Sequence, residues 1–417
     1  MYTATSSLNA VVFLALLAIA SITHAQTNDV SLNRLAEAVN AINENQLAHA
    51  EELLNSVLAT SHNDADALNL LGVVRAKQDR VADAERLFRR ALLSLPSHVS
   101  AHINLAELLL THDRSAEAMP ILLRAHKLAP SRPDIDLKLA TLYAGLKQFD
   151  KAEEFLTSAL ALTPDDVAIL RALAKVARAT GNREKALSHL IQARRLAPES
   201  PAVLYDFGVT TLQMGLVLDA LPVFERLNRD YPREPAYLYG LAAARWTKGE
   251  VAETVRLMND YVALQPRDAS GWYLLGAALL RQEQMAEAQR ALQQSLSLKA
   301  DPDTEYLLGV SFDKAGDRDA AIKIFSKVIQ SRPDHAAAHA ALGAAYRETG
   351  RYAEARRELE RAVQLDANDL RANYQLGLVY AKLGEKEAAK KMFDRADELR
   401  KRQHDQERVI LKLIDEP

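Results

Sequence analysis

The sequence of 417 residues contains no cysteine. Disulfides, thiolate metal sites, a cysteine nucleophile and lipidation of an amino-terminal cysteine are therefore excluded. An excess of charge of one sign is missing as well, because 52 basic residues stand against 55 acidic ones and the formal net charge is only -3. Binding to nucleic acid or to an anionic membrane surface relies on an excess of positive charge, so we expect no nucleic acid partner.

The sequence motifs of common enzymes are also missing. The chain lacks a Gly-rich phosphate loop ending in Gly-Lys-Ser/Thr, a His-Glu-x-x-His zinc helix and a Gly-x-Ser-x-Gly nucleophile elbow. His98 and His102 are four residues apart, as are His335 and His339, but neither pair has a third ligand at a fixed spacing. We therefore predict structural roles for these histidines, no metal site, no cofactor and no enzymatic activity.

The amino terminus differs in composition from the rest of the chain. Residues 10–22 read AVVFLALLAIASI, and the small residues that follow suit cleavage by signal peptidase before Gln26. This apolar run is shorter than the roughly 20 residues that span a bilayer as a helix. We interpret residues 1–25 as a signal peptide, which predicts a periplasmic or secreted protein with no stable membrane insertion after cleavage. Residues 1–24 contain no Lys or Arg, and the alternative is a membrane anchor formed by the uncleaved segment.

From residue 31 onward, one pattern recurs every 34 residues. The pattern is centred on an alanine. A small residue stands twelve positions before this alanine, a large apolar residue stands four positions after it, and a proline stands twelve positions after it. A period of this length is typical of helical solenoids. The first five such alanines are Ala84, Ala118, Ala152, Ala186 and Ala220, and the matching prolines are Pro96, Pro130, Pro164, Pro198 and Pro232.

These residues resemble the tetratricopeptide repeat family, and the stretch WYLLGAALLRQEQMAEAQRALQQSLSL (Trp272 to Leu298) is similar to its helix-turn-helix pattern. The resemblance implies an all-α fold, namely an α-solenoid in the form of a right-handed superhelix. About eleven tandem repeats would occupy residues 26–400, followed by a capping helix and tail at residues 401–417. The repeats are expected to start near Ser31, Ala65, Val99, Pro133, Val167, Pro201, Pro235, Ala269, Pro302, Ala336 and Leu370.

The same resemblance implies a groove lined by the first helix of each repeat, with the fifth residue of that helix often facing the ligand. Tyrosine at this position offers a large, rigid surface with a hydroxyl, although it can equally serve to cover the neighbouring helix. Earlier repeats present asparagine or arginine instead. The resulting ligand-groove candidates are Tyr205, Tyr239, Tyr273, Tyr306, Tyr374, Arg171, Lys175, Asn69 and Asn104.

Some family members clamp the carboxyl terminus of a chaperone with a set of Lys, Asn and Arg, but that set is missing here. We therefore expect a scaffold or adaptor for protein-protein interactions in the exported compartment, which binds extended peptide or helical segments in its groove. The alternative is a glycan-binding or polysaccharide-export accessory protein of the cell envelope, in which the tyrosines stack on sugar rings.

Overall fold

The computed structural model describes residues 27–415, with side chains described for residues 30–402. Over this part of the chain the regular structure is entirely α-helical, with 22 helices and no strand. The expected all-α solenoid fold is confirmed, since the helices pair into consecutive helix-turn-helix repeats. The predicted signal peptide at residues 1–25 lies outside the described residues.

The first helices from α3 (Ala65–Lys77) onward begin where the sequence supplies a capping side chain or a proline. Asp166 precedes α9 (Val167–Ala179), and its carboxylate accepts hydrogen bonds from the backbone N–H groups of Ala168 and Ile169. Other first helices begin with proline, whose missing N–H has no partner to lose at this position, as in α7 (Pro133–Gly145). These local signals recur in each repeat and fix where its first helix starts.

The helices divide into two compact parts, which we call the N-terminal half (Met1–Thr210) and the C-terminal half (Thr211–Pro417). In the N-terminal half, successive helices from the first to the tenth pack against one another, and α3 also contacts the first helices of both adjacent repeats, as α7 contacts α9. Its helices are α1 (Thr27–Asn43), α2 (Leu47–Thr60), α3 (Ala65–Lys77), α4 (Val81–Ser94), α5 (Val99–Thr111), α6 (Ser115–Leu128), α7, α8 (Phe149–Leu162), α9, α10 (Arg183–Leu196) and α11 (Pro201–Gln213), whose last turn extends past the division.

The C-terminal half follows the same plan. Successive helices pack in chain order, and contacts between first helices join neighbouring repeats. Its helices are α12 (Val217–Asp230), α13 (Pro235–Lys248), α14 (Val251–Leu264), α15 (Ala269–Arg281), α16 (Met285–Leu298), α17 (Pro302–Lys314), α18 (Arg318–Ser331), α19 (Ala336–Glu348), α20 (Tyr352–Leu365), α21 (Leu370–Lys382) and α22 (Lys386–Asp415).

The two ends of the described helices differ in detail from the sequence-based boundaries. First helices from α3 to α21 begin at the residues where the pattern places repeat starts, whereas α1 already includes residues before Ser31. At the other end, residues 386–415 form one helix. The segment predicted as a cap therefore continues the second helix of the last repeat without a break.

The close approach of the two helices within a repeat depends on residue size. A Cβ added at Gly72 of α3 would lie 2.6 Å from Cε1 of Phe88 in α4, and one added at Gly309 of α17 would lie 2.5 Å from Cε1 of Phe325. Phe88 is completely buried. Each ring thus occupies the space that the missing side chain leaves, which makes the glycine and the phenylalanine a matched pair.

Candidate functional site

At two places in the N-terminal half, the fifth residue of a first helix forms a hydrogen bond with the sixth residue of the next first helix. In the N-terminal half, Asn69 is the fifth residue of α3 and Asn104 is the sixth residue of α5, and Asn104 Nδ2 donates a hydrogen bond to Asn69 Oδ1 at 2.9 Å. Both amides are buried, with 6% and 3% of their surface exposed. The structure therefore brings these two candidates together inside the stack, where they link α3 to α5.

Arg171 follows the same rule with a charged partner. It is the fifth residue of α9, and its Nε donates to Oδ2 of Asp206, the sixth residue of α11, at 2.7 Å. Asp206 is buried, and its second oxygen lies 3.5 Å from Arg178 NH2. Arg178 also donates to the hydroxyl of Thr210 at 3.3 Å. One buried carboxylate thus holds two arginines, and sequence reasoning missed it although its spacing of 35 residues from Arg171 matches the Asn69–Asn104 pair.

In the C-terminal half, three of the predicted tyrosines pack against aromatic residues of their own repeat. The ring centroid of Tyr239 lies 5.2 Å from that of Tyr261, and the centroid of Tyr374 lies 5.6 Å from that of Phe393. Tyr306 lies 5.9 Å from Phe325 in the same way. These distances are those of favourable aromatic pairs, so the rings contribute to packing between the two helices of a repeat.

The tyrosines differ in how much water they reach. Burial raises the pKa of Tyr306, and it also raises the pKa of Tyr273, where the nearby carboxylates of Asp303 and Asp301 act in the same direction. Tyr374 is 41% exposed, since no further first helix follows α21 among the described residues. Tyr205 is half-buried. A ligand role for these tyrosines stays a prediction from the sequence.

Arg171 and Lys175 line one cavity of about 330 Å³ in the N-terminal half. It lies among α7, α8 and α9, with the buried side chains of Leu156 and Val176 on its wall and half-buried Phe149 beside them. The space exists because short side chains line the rest of it, namely Thr141 and the five alanines Ala140, Ala144, Ala168, Ala172 and Ala179. A volume of this size falls within the range of sites that bind ligands.

The two cations of this cavity are not equivalent. Arg171 is engaged by Asp206, as described above. Lys175 is exposed and forms no ion pair among the described residues. The cavity therefore combines an apolar wall with a lysine at its rim that has no carboxylate partner among the described residues, which suits an apolar group next to an anionic one.

The histidines of the two pairs cap helices or contact nearby groups of the fold. His98 Nδ1 accepts a hydrogen bond from the backbone N–H of Ala101 at 3.2 Å and so caps α5, and His335 caps α19 in the same way. His339 lies 2.8 Å from Glu358 Oε2 through Nδ1 and 3.1 Å from the Pro333 carbonyl oxygen through Nε2. These contacts give each histidine a structural partner close by.

A buried carboxylate in the N-terminal half has an unusual environment. Asp136 of α7 is completely buried, and its Oδ1 lies 2.6 Å from His126 Nδ1 of α6 in an ion contact whose alignment is poor for a hydrogen bond. Burial raises the pKa of Asp136, although His126 and Ser158 act against this shift. The folded protein therefore binds the Asp136 proton more tightly than the unfolded chain does.

This environment predicts a pH dependence that Asp136→Asn removes. Because the folded pKa is raised, the contribution of Asp136 favours folding at acidic pH and is lost as the pH rises from about 3.8 through the raised value. We expect the free energy of unfolding of the wild type, relative to that of Asp136→Asn, to fall as the pH is raised above about 4. Urea unfolding at a series of pH values measures it.

For the matched variant Glu85→Gln, the difference in free energy of unfolding from the wild type should change with pH in the opposite direction. Arg114 lowers the pKa of Glu85 to about 2, so the contribution of Glu85 is present above pH 4.5 and is lost as the pH falls toward 2. The wild type should therefore lose stability relative to Glu85→Gln on acidification. If the stability differences for Asp136→Asn and Glu85→Gln changed with pH in the same direction, this result would contradict the role assigned to the burial of Asp136.

Two further features bear on what kind of site the chain contains. Among the described residues, no group of three or more His, Asp or Glu side chains is arranged to hold a metal ion. Likewise, none of the described helices is both long enough and apolar enough to cross a membrane. The cavity among α7, α8 and α9, with its apolar wall and Lys175 at the rim, is the candidate binding site.

Comparison with protein families decides the classification. Models described as tetratricopeptide repeat match residues 35–92, 71–133, 109–176, 205–263, 269–302, 314–369 and 347–408, which together span most of the chain. The chain belongs to the tetratricopeptide repeat family. Proteins with tetratricopeptide repeats commonly serve as scaffolds for protein interactions, so protein partners are suggested for this chain. Comparison with curated proteins gives no significant match.

Several solved structures of tetratricopeptide type are similar to this chain at low sequence identity. Pseudomonas aeruginosa pilF is 19% identical with a TM-score of 0.47, and the match covers 50% of this chain and 96% of that one. A chain of the APC/C hetero-tetramer Cut9-Hcn1 is 15% identical with a TM-score of 0.43, covering 90% and 96%. MamA from Desulfovibrio magneticus RS-1 is 24% identical with a TM-score of 0.38, covering 40% and 96%.

Proposed function

We propose that the protein is a non-catalytic scaffold that holds a segment of a partner protein in the cavity among α7, α8 and α9. The observation that carries this proposal is the combination of an apolar wall, formed by Phe149, Leu156 and Val176, with Lys175 at the rim. Because the cavity is built from packed helices, it exists before the partner arrives. Most of the ordering cost of binding then falls on the partner.

We also propose that the scaffold works after export. The apolar run at residues 10–22 and the small residues after it support this proposal. The glycan-binding alternative is favoured less, because stacking on sugars needs accessible rings, and Tyr239 and Tyr306 are half-buried and pack against aromatic neighbours, whereas Tyr374 alone among the predicted tyrosines is exposed. Export is tested by fractionation of cells and by the amino-terminal sequence of the mature protein, and an intact cytoplasmic chain would contradict it.

Site-specific photo-crosslinking tests the cavity as the binding point. A photoreactive residue at Ala168, which is exposed on the cavity rim, should form an adduct with the partner in living cells. A second substitution, Ala172→Trp, places a large side chain in the cavity and should abolish that adduct. Circular dichroism and thermal unfolding of Ala172→Trp establish that the variant is folded.

The control places the same photoreactive residue at Lys127, which is exposed on α6 and does not line the cavity. We expect no adduct at this position. An adduct at Ala168 that persists in a folded Ala172→Trp variant, or an equal adduct at Lys127, would show that the partner binds elsewhere.

A further inference from the structure

We propose that the segment bound in this cavity is an internal stretch of the partner, in which an apolar side chain stands within one helical turn of a single acidic residue. This inference rests on the proposed function and names the chemistry of the same site. It follows from three features of the cavity: the apolar wall, the number of available cations, and the extent of the lining along α9.

The apolar wall selects the anchoring side chain. Leu156 and Val176 are at most 4% exposed, so the apolar surface they present is already held in place by the fold. Five alanines around them keep the cavity open. An apolar side chain that enters displaces water from this surface without disturbing a hydrogen bond of the wall, which favours an aliphatic or aromatic anchor.

The two cations of the cavity determine which charge is favoured in the partner residue next to the apolar anchor. Arg171 lines the cavity, but its Nε is already hydrogen-bonded to the buried carboxylate of Asp206 at 2.7 Å. Lys175 is the cation of the cavity that lacks a carboxylate partner among the described residues. One partner carboxylate can be matched here, whereas a second would meet an arginine that is already paired. The site therefore favours one acidic residue beside the anchor.

The lining of the cavity favours a segment that passes through it. Ala168 and Ala179 both line the cavity, so it follows α9 for roughly 16 Å, at about 1.5 Å per residue. Lys175 lies about two turns after Ala168 and about one turn before Ala179. A carboxyl terminus clamped by Lys175 would leave one end of the cavity empty, whereas an internal acidic side chain allows the chain to continue on both sides.

Selection of short random peptides displayed on phage, with the purified full chain as bait, tests this chemistry. The wild type should enrich peptides that carry an apolar residue within one turn of a single acidic residue. Binding of a selected peptide should weaken about threefold in Lys175→Met, which removes an exposed ion pair. It should weaken about tenfold in Lys175→Glu, which replaces the ion pair by a repulsion between two carboxylates. The matched control Lys127→Glu makes the same charge change outside the cavity and should bind like the wild type.

The outcomes separate this inference from the proposed function. Peptides without acidic enrichment, or peptides bound equally by wild type and Lys175→Glu, overturn the inference while the proposed function stands if Ala172→Trp still abolishes binding. Loss of affinity after amidation of the peptide carboxyl terminus overturns the choice of an internal segment. If binding is indifferent to Ala172→Trp, the proposed function itself fails.

Discussion

Replacing Phe88 by alanine is expected to destabilise the helices around it by about 3–5 kcal/mol, the largest effect that we predict for a single substitution. Phe88 is completely buried, and its ring fills the space above Gly72. In a repeat protein, each repeat contacts only its neighbours, so the loss should be local. Hydrogen exchange should show reduced protection in α3, α4 and α5, with α19 to α22 unchanged. Equal loss of protection throughout the chain would contradict this neighbour-only coupling.

A compensating variant tests the size match itself. Gly72→Ala alone should destabilise by about 1–3 kcal/mol, because its Cβ would overlap the Phe88 ring. Combining Gly72→Ala with Phe88→Leu recreates the pair that the next repeat contains at the same positions, Ala106 and Leu122, both buried. The double variant should therefore lose less stability than the two single variants together. Additive losses would mean that the two positions do not share the same space.

Replacing Asp206 by alanine should destabilise the contact between α9 and α11 by about 3 kcal/mol, the lower end of the range for broken buried ion pairs. Asp206 is 3% exposed and is the carboxylate partner of Arg171 and Arg178, whose side chains are 27% and 17% exposed. Its removal leaves two half-buried cations without their counter-charge. The arginines retain partial access to water, which keeps the loss below that of a fully buried pair.

Urea unfolding and hydrogen exchange of α9 and α11 measure this effect. The control is Glu153→Ala, which breaks the ion pair with Lys185, whose side chain is 43% exposed. That change should alter stability by at most about 1 kcal/mol, as expected for surface ion pairs. Similar losses for Asp206→Ala and Glu153→Ala would show that burial of Asp206 adds nothing to the pair.

The repeat architecture could be predicted from the sequence because its determinants are local. Small residues, prolines and glycines recur at fixed positions, and helix starts such as Ala65 in α3 and Leu370 in α21 coincide with the pattern. The turns inside the repeats have the same local origin, since glycines such as Gly181 and Gly316 recur between the two helices of a repeat and have φ angles of 81° and 89°. Each of these features depends on contacts within one repeat or with the next one.

The candidate site could be predicted only in part, because its environment depends on the identity of residues in a neighbouring repeat. Asn69 and Arg171 share the fifth position, yet one meets Asn104 and the other meets Asp206. The sequence does contain the identity of each partner, because the partner stands 35 residues after the residue at the fifth position. The cavity was harder to foresee, since an open space beside Leu156 arises from several alanines whose distances the sequence does not show.

The hairpin turns have a consequence for the order of folding. The first four turns place residues with a Cβ in the left-handed region, at Asn45, Asp79, Asp113 and Lys147, and Glu283 does the same, whereas the other six turns use glycine. The left-handed conformation costs about 1–2 kcal/mol for a residue with a side chain, somewhat less for Asn and Asp. Hairpins closed by glycine avoid this cost, so we expect a newly synthesised chain to nucleate most readily in the repeats from α9 to α14 and from α17 to α22.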